Sequence, residues 1–158
     1  MDWIIRAMRP EEYPLLEEFL YQAIFVPEGE VPPERSIVKK PELRVYVDGF
    51  GTGPADRCMV AEASGTVVGA AWSRIMDDYG HLDDETPSLA IALLPEWRGR
   101  GIGGALLRAL LEALAQAGFR RASLSVQKAN RAARLYGRLG FEVVEDKGEE
   151  YLMAKGLT

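Results

Sequence analysis

Cysteine occurs once in these 158 residues, at Cys58, and histidine once, at His81. A single thiol rules out an intrachain disulfide framework, and one imidazole leaves no Cys/His cluster for a structural metal, so no metal site is expected. Long apolar runs are missing too. No stretch of about 18 apolar residues exists, and Met1-Asp2-Trp3-Ile4-Ile5-Arg6 carries an early acid, so neither a membrane partner nor an export signal is expected. The reducing cytosol is the simplest location, and Cys58 reads as a small apolar residue in a strand. Basic residues are in the minority: 19 Lys and Arg stand against 24 Asp and Glu, a net charge of −5. Grooves for nucleic acid rely on clustered cations, so no nucleic-acid partner is expected and a cationic small molecule suits the balance better. Repeats and low-complexity tracts are absent. With 47% hydrophobic residues, a chain of this length can bury one core, and a single domain over residues 1–158 is expected.

What the chain does have is the run Arg98-Gly99-Arg100-Gly101-Ile102-Gly103. Before it, Leu89 to Leu94 is short, apolar and closed by Pro95, which fits a buried strand. After it, from Gly103 or Gly104, Ala105, Leu106, Leu107, Leu110, Leu111, Leu114 and Ala115 recur at helical spacing until Gly118 supplies a stop. In a strand, glycine turn and helix, the free N–H groups of the first helical turn and the positive end of its dipole favour anionic oxygens. Glycines remove the Cβ atoms that would hold a phosphate off the backbone, and Arg98 and Arg100 add positive charge at the rim. A ligand-free turn is the plain alternative. Gly99, Gly101 and Gly104 also satisfy G-x-G-x-x-G, but the stretch about 20 residues on reads Phe119-Arg120-Arg121-Ala122-Ser123-Leu124, with no carboxylate for a ribose, which weighs against a nicotinamide oxidoreductase.

The rest of the chain reads as compact alternation. A strand is expected over Trp3 to Ala7 and a helix from Met8 to about Phe25, with Tyr13, Leu16, Phe19, Leu20 and Ala23 inward. The stretch from Pro27 to Glu34 is a loop by composition, and Ser36 to Tyr46 holds a short helix after Pro41. Arg57 to Ala63 and Thr66 to Met76 form a hairpin across Ser64-Gly65. Further strands are expected at Ala122 to Val126, Glu142 to Glu145 and Glu150 to Ala154. The order β, α, α, β, β, β, α, β, α, β, β describes an α/β protein with a mixed sheet.

The pattern Arg98, Gly101, Gly103, preceded by Leu93-Leu94-Pro95 and followed by Ala122-Ser123-Leu124-Ser125-Val126, Asn130, Tyr136 and Leu139-Gly140-Phe141, resembles the acyl-CoA signature of the GCN5-related N-acetyltransferase (GNAT) superfamily. It covers about a third of the chain. The resemblance implies a central sheet of about six to seven mostly antiparallel strands, splayed at the motif strand and flanked by about four helices, with a pantetheine arm inserted between the splayed strands. Acetyl-CoA is the implied cosubstrate. Backbone groups of Leu93 and Leu94, with Pro95, would hold its pantetheine, and Arg98, Gly99, Arg100, Gly101, Ile102, Gly103 and Gly104 its pyrophosphate. The Leu93 amide is the implied oxyanion donor and Tyr136 the implied proton donor to sulfur, although at helical spacing from Ala132, Ala133 and Leu139 it also fits a core position. Asn130 reads first as a helix N-cap, and in the family the matching asparagine also bonds the cofactor's arm. Arg131, Arg134 and Arg138 either flank that ligand or form a solvated helix face.

The implied activity is direct acetyl transfer, within a ternary complex, to an amine of a small molecule or peptide. An amine of pKa about 10.4 must lose a proton first, which costs roughly 4.6 kcal/mol at pH 7. In some family members a glutamate on the motif strand takes it, but counting back from Arg98 the matching position here is Pro87. Nearby stand Asp77, Asp78, His81, Asp83, Asp84 and Glu85. Glu85, two residues before Pro87, is the candidate base because alternate strand positions share a face. The same acids also fit a solvated turn or an electrostatic lure for a cation. Tyr21, Phe25, Tyr46, Phe50 and Trp72 fall in segments that form the acceptor side in this superfamily. Cys58 lacks a His partner, so no acyl-enzyme is expected. A non-catalytic acyl-CoA sensor of the same fold is the alternative in a different class, and a homodimer is an expectation by analogy with the fold alone.

Overall fold

The computed structural model describes residues 2–157. Seven strands form one sheet: β1 (Ile4–Ala7), β2 (Arg57–Ala63), β3 (Thr66–Arg74), β4 (Ser88–Leu93), β5 (Arg121–Gln127), β6 (Glu142–Asp146) and β7 (Glu150–Gly156). Their order is β1-β2-β3-β4-β5-β7-β6, and every neighbouring pair is antiparallel except β4 and β5. Four α-helices cover the sheet: α1 (Leu16–Ala23), α2 (Pro41–Arg44), α3 (Ile102–Gln116) and α4 (Ala132–Arg138). This is the expected mixed α/β architecture in the expected order.

Alternation along the strands makes two cores, one on each face of the sheet. On one face, Leu89 of β4 joins Leu106, Leu107, Leu110 and Leu114 of α3 and Tyr136 of α4, with Ile91 and Leu93 packed against them. On the other, Ala92 lies among Leu16, Phe19 and Leu20 of α1, with Trp72 of β3 and Tyr46. Tyr46, Phe50 and Trp72 are therefore buried in this core, and the Trp72 indole donates to the Tyr46 carbonyl at 3.1 Å.

The first helix departs from expectation. Its opening is a 3₁₀ segment, Pro10–Leu15, and α-helix runs only from Leu16 to Ala23. Pro14 has no N–H to give to the Pro10 carbonyl, so a continuous α-helix would lack a bond in that turn. A second 3₁₀ segment, Arg35–Lys39, precedes the short α2.

The feature that positions the site is the junction of β4 and β5. They share a single paired position, Ser88 with Ser123. Beyond it β5 continues on β7 as far as Gln127, and β4 continues on β3 as far as Leu93, so the two central strands diverge into a fork.

Candidate active site

The register of β3 and β4 fixes which way each main-chain group of β4 points. Leu94 donates to the Val68 carbonyl at 2.9 Å, so residues 94, 92, 90 and 88 turn their N–H and C=O toward β3. Ile91 and Leu93, offset by one, turn theirs the other way, into the fork. A sheet edge of this kind is a row of unpaired donors and acceptors that an extended ligand can bond. Leu93 was expected in this place. Leu94 is a correction: its N–H is held by Val68 and its carbonyl accepts from Trp97 at 2.9 Å. The residue missed is Ile91, and the signal that would have found it is the two-residue period itself, counted back from Leu93.

Pro95 is exposed and opens a 3₁₀ turn, Pro95–Trp97, that carries the chain off the end of β4. Gly99 and Gly101 follow with φ of +74° and +83°, the left-handed region that glycine enters without strain. A Cβ at either position would meet nothing within 4 Å, so space stands open over both. Gly101 is the N-cap of α3 and no side chain caps the helix, which leaves the amides of Ile102, Gly103 and Gly104 aimed at that space.

The two arginines do not reach out as expected. The Arg98 Nε donates to the Leu93 carbonyl at 3.2 Å, and its Nη2 lies 3.3 Å from both the carbonyl and the side-chain oxygen of Gln22 on α1. Arg100 donates to the Glu96 carbonyl at 2.9 Å and stacks its guanidinium 4.7 Å from the Trp97 ring centroid. Both side chains brace the loop through neutral acceptors, so their charges stay at the rim and add to the positive end of the helix.

Helix α4 closes the far side of the fork. A Cβ at Gly103 would lie 3.6 Å from Ile91 Cδ1, 3.8 Å from Leu135 Cδ2 and 3.9 Å from Leu93 Cδ1, so β4, the start of α3 and α4 converge there. Asn130 lies one residue ahead of the N-cap position, Arg131, and ties down the entry to α4: its Oδ1 accepts from the Ala132 amide at 2.9 Å. Tyr136, the next residue after Leu135, is buried with its ring edge-on to Phe141 at 6.1 Å. Burial pushes its hydroxyl up to about 12. No protein group bonds that hydroxyl, yet no sealed and unsatisfied polar side-chain atom exists among the described residues, so its oxygen meets solvent-reached space. Arg131, Arg134 and Arg138 are exposed along the outer face of α4.

Glu85 is exposed whereas Pro87 is fully buried, so the two do not share a face. Its amide donates to the Asp83 carboxylate at 2.9 Å in a turn ahead of β4. Of the acids in this stretch Asp78 is the one packed inward. The Ser88 hydroxyl donates to its Oδ1 at 2.9 Å, and the Tyr46 hydroxyl and the Gly80 amide lie beside it. Burial raises its carboxyl above the usual range and outweighs those neighbours. His81 faces away, its Nδ1 at the Met76 carbonyl and its Nε2 3.6 Å from Asp84.

Two surface cavities flank α1. The larger, about 410 Å³, lies between α1 and Arg35 to Lys39 and touches neither β4 nor the glycine turn. The smaller, about 270 Å³, is lined by Ile24, Ile37, Lys40, Glu42, Leu43 and Tyr79, and Tyr79 ties it to the loop that carries Asp78. Cys58 is buried and its thiol is pushed far up by desolvation, which makes it inert.

Comparison with known proteins agrees with this geometry. The chain is 34% identical over 113 residues to the mycothiol acetyltransferase of Propionibacterium freudenreichii subsp. shermanii, an alignment covering 71% of this chain and 36% of that one. It is 39% identical over 90 residues to the mycothiol acetyltransferase of Acidimicrobium ferrooxidans, covering 54% and 27%. The chain thus spans roughly a third of these relatives' length. Among solved structures, the PaiA N-acetyltransferase of Thermoplasma acidophilum in complex with coenzyme A superposes with a TM-score of 0.71 at 20% identity, covering 99% of each chain. A GNAT-family acetyltransferase of Streptococcus pneumoniae gives 0.70 at 21% identity, covering 99% and 100%. These likenesses establish the fold, and the family description matches residues 17–141, from α1 through the fork to Phe141; the chain belongs to the acetyltransferase (GNAT) family.

Proposed function

We propose that this chain transfers the acetyl group of acetyl-CoA to an amine of a small molecule or peptide, directly and within a ternary complex. The observation that carries the reading is the fork itself: a strand edge that leaves the Ile91 main chain and the Leu93 N–H without a strand partner runs straight into a glycine turn and an uncapped helix start. An edge that bonds amides and a terminus that bonds phosphates, in that sequence along the chain, match a ligand with two amides joined to a pyrophosphate.

Each residue of the reading has a defined task. The amides of Ile102, Gly103 and Gly104 bind pyrophosphate oxygens over the open faces of Gly99 and Gly101, while Arg98 and Arg100 hold the loop in shape. The N–H of Leu93, next to the glycine turn, bonds the pantetheine, and main-chain groups of Ile91, farther from the pyrophosphate, bond the thioester oxygen, so the oxyanion role expected of Leu93 passes to Ile91. An amide aimed at that oxygen stabilises the charge that develops there in the transition state. Asn130, by fixing α4, places Tyr136 beside the sulfur, where its hydroxyl protonates the departing thiolate. A thiolate of pKa about 8.5 takes that proton once its own desolvation raises it toward the phenol's range.

The acceptor enters from the opposite side, past Tyr79 and the cavity of about 270 Å³. Its apolar walls with Lys40 and Glu42 suit a small molecule bearing an amine. Isothermal titration with acetyl-CoA, followed by thiol release against a panel of primary amines, tests the reading. Micromolar binding with amine-dependent thiol release is expected. Absence of heat at millimolar acetyl-CoA sinks it, and binding without release across the panel converts it to a sensor of the same ligand.

A further inference from the structure

The family position that supplies a proton acceptor on the motif strand is Pro87 in this chain, and proline has nothing to titrate. We propose that Asp78, carried on the β3–β4 loop, is the general base that replaces it. The inference rests on the transferase reading above.

Its ground is placement. Ser88, whose hydroxyl holds the Asp78 carboxylate at 2.9 Å, is the last residue of β4 that pairs with β5. Gly80, two residues after Asp78, lies against the first unpaired stretch of β5. A Cβ there would stand 3.0 Å from the Ser125 nitrogen and 3.1 Å from the Leu124 Cα, and the Ser123 hydroxyl donates to the Gly80 carbonyl at 2.7 Å. The loop is therefore wedged into the closed end of the fork by contacts to both diverging strands, and Asp78 sits at that end. Its side chain lies on the α1 face, with Tyr46, because Ser88 shares the face of Ala90 and Ala92. That is the side from which an acceptor approaches.

Ser88 and Ile91 are three residues apart, about 10 Å along the strand. That span takes the thioester carbonyl, the attacking nitrogen and one bridging water, the reach allowed to a general base. The groups facing Asp78 are the hydroxyls of Tyr46 and Ser88 and the Gly80 amide; Asp77, Tyr79 and His81 neighbour it on its own loop, Lys147 reaches the Tyr79 carbonyl at 3.5 Å from the β6–β7 turn, and Asp78 forms no ion pair among the described residues. A half-buried carboxylate lifted above the ordinary aspartate range, with no cation in ion-pair contact among the described residues, is suited to accept a proton near neutral pH.

The step balances simply. The ammonium gives one proton through water to Asp78, the free amine attacks, the C–N bond forms and the C–S bond breaks, and sulfur takes the Tyr136 proton to leave as a thiol, after which the proton held by Asp78 returns through solvent to Tyr136. The second nitrogen proton passes to solvent, so an ammonium and acetyl-CoA yield an amide, free CoA thiol and one proton.

The test uses 2-phenylethylamine, spermidine, glucosamine and the dipeptide Ala-Gly as probes, with thiol release as the signal. The parent protein is expected to use at least one of them, and the best becomes the assay. In Asp78→Asn, kcat/KM at pH 7 is expected to fall about 100-fold or more, with the acetyl-CoA Kd within twofold of the parent. The residual rate should climb about tenfold per pH unit, because the amine must then lose its proton unaided. Ser88→Ala removes a bond that favours the ionised carboxylate, so the acidic limb of the kcat/KM profile should move to higher pH. Asp78→Asn keeping kcat/KM within threefold, or losing acetyl-CoA binding, overturns the assignment while the transferase reading stands, as does an unmoved acidic limb in Ser88→Ala. A parent protein that binds acetyl-CoA and acetylates none of the probes overturns both.

Discussion

The Ser123 amide donates to the Pro87 carbonyl at 2.9 Å, and this bond is the hinge of the fork. On its near side the sheet is continuous; past it, β4 and β5 each keep one neighbour and lose the other. Nothing in either strand's own composition forbids further pairing, since β4 is largely apolar, β5 alternates polar with apolar residues, and neither contains proline or glycine. What separates them is matter on either side: the loop anchored by Gly80 at the closed end, and Leu135 of α4 packed with Ile91 and Leu93 over Gly103 farther along.

Gly80 therefore bears strain if it gains a side chain. Backbone atoms of Leu124 and Ser125 stand within 3.0 to 3.2 Å of the Cβ that Gly80→Ala would introduce, and backbone cannot swing aside. Gly80→Ala is expected to destabilise the protein by about 1 to 3 kcal/mol, read by urea unfolding, and to lower kcat more than it raises the acetyl-CoA Kd. Parental stability in that variant would show that the loop does not hold the fork.

The glycine turn can be tested with an internal control. Gly101 and Gly118, at the two ends of α3, both have positive φ, +83° and +96°, and at neither would a Cβ meet anything within 4 Å. Alanine at either position imposes a similar backbone strain of about 1 to 2 kcal/mol. Only at Gly101 would the added methyl occupy the space assigned to pyrophosphate. The two variants should lose similar stability in thermal melts, while acetyl-CoA affinity falls at least tenfold in Gly101→Ala and stays near parental in Gly118→Ala. Equal affinities would remove the pyrophosphate from that turn.

Local signals explain how much of this was legible beforehand. The strand ending at Pro95, the glycine turn and the leucine-rich α3 follow from period and punctuation, and so does the hairpin across Ser64 and Gly65. The first helix was misread over Pro10 to Leu15 because its apolar spacing is helical while Pro14 withdraws a donor. The fork lies beyond such signals, since whether β4 and β5 stay paired depends on packing from the Asp78 loop and from α4; only the family resemblance announced it. The same holds for Asp78. Five carboxylates from Asp77 to Glu85 look alike in sequence, and what singles one out is a bond to Ser88 and a glycine two positions on that fits against β5. Leu94 failed for a simpler reason: parity along β4 gives its amide to Val68 and leaves the fork to its neighbours.

Tyr136 offers a separation of stability from chemistry. Its hydroxyl bonds no protein group, so Tyr136→Phe keeps the ring on Phe141 and should leave the melting temperature within a degree or two. If the hydroxyl protonates the leaving sulfur, kcat should fall by about 100-fold or more with KM for acetyl-CoA little changed. The basic limb of the kcat profile, which belongs to a hydroxyl pushed up to about 12, should lie beyond the range ordinarily assayed. Unchanged turnover would return Tyr136 to the core.

Acid stability should depend on a cluster remote from the fork. Arg6 on β1 bonds Glu12 at 2.8 Å and Glu62 of β2 at 2.9 Å, and the Arg9 amide donates to Glu12 at 2.9 Å. The Arg6 guanidinium first, and the Arg9 amide second, hold the Glu12 carboxyl down at about 2 from an ordinary 4.5. The folded state thus binds this proton more weakly than the unfolded chain does. The contribution is fully present above about pH 4.5 and is lost as pH falls from there toward 2. Glu12→Gln should cost about 1 to 2 kcal/mol at pH 7 in urea unfolding, since a charge-assisted bond is replaced by a neutral one. The gap between parent and variant should narrow steadily below pH 4.5. A gap that stays constant down to pH 2.5 would mean that Glu12 acts through packing and not through its charge.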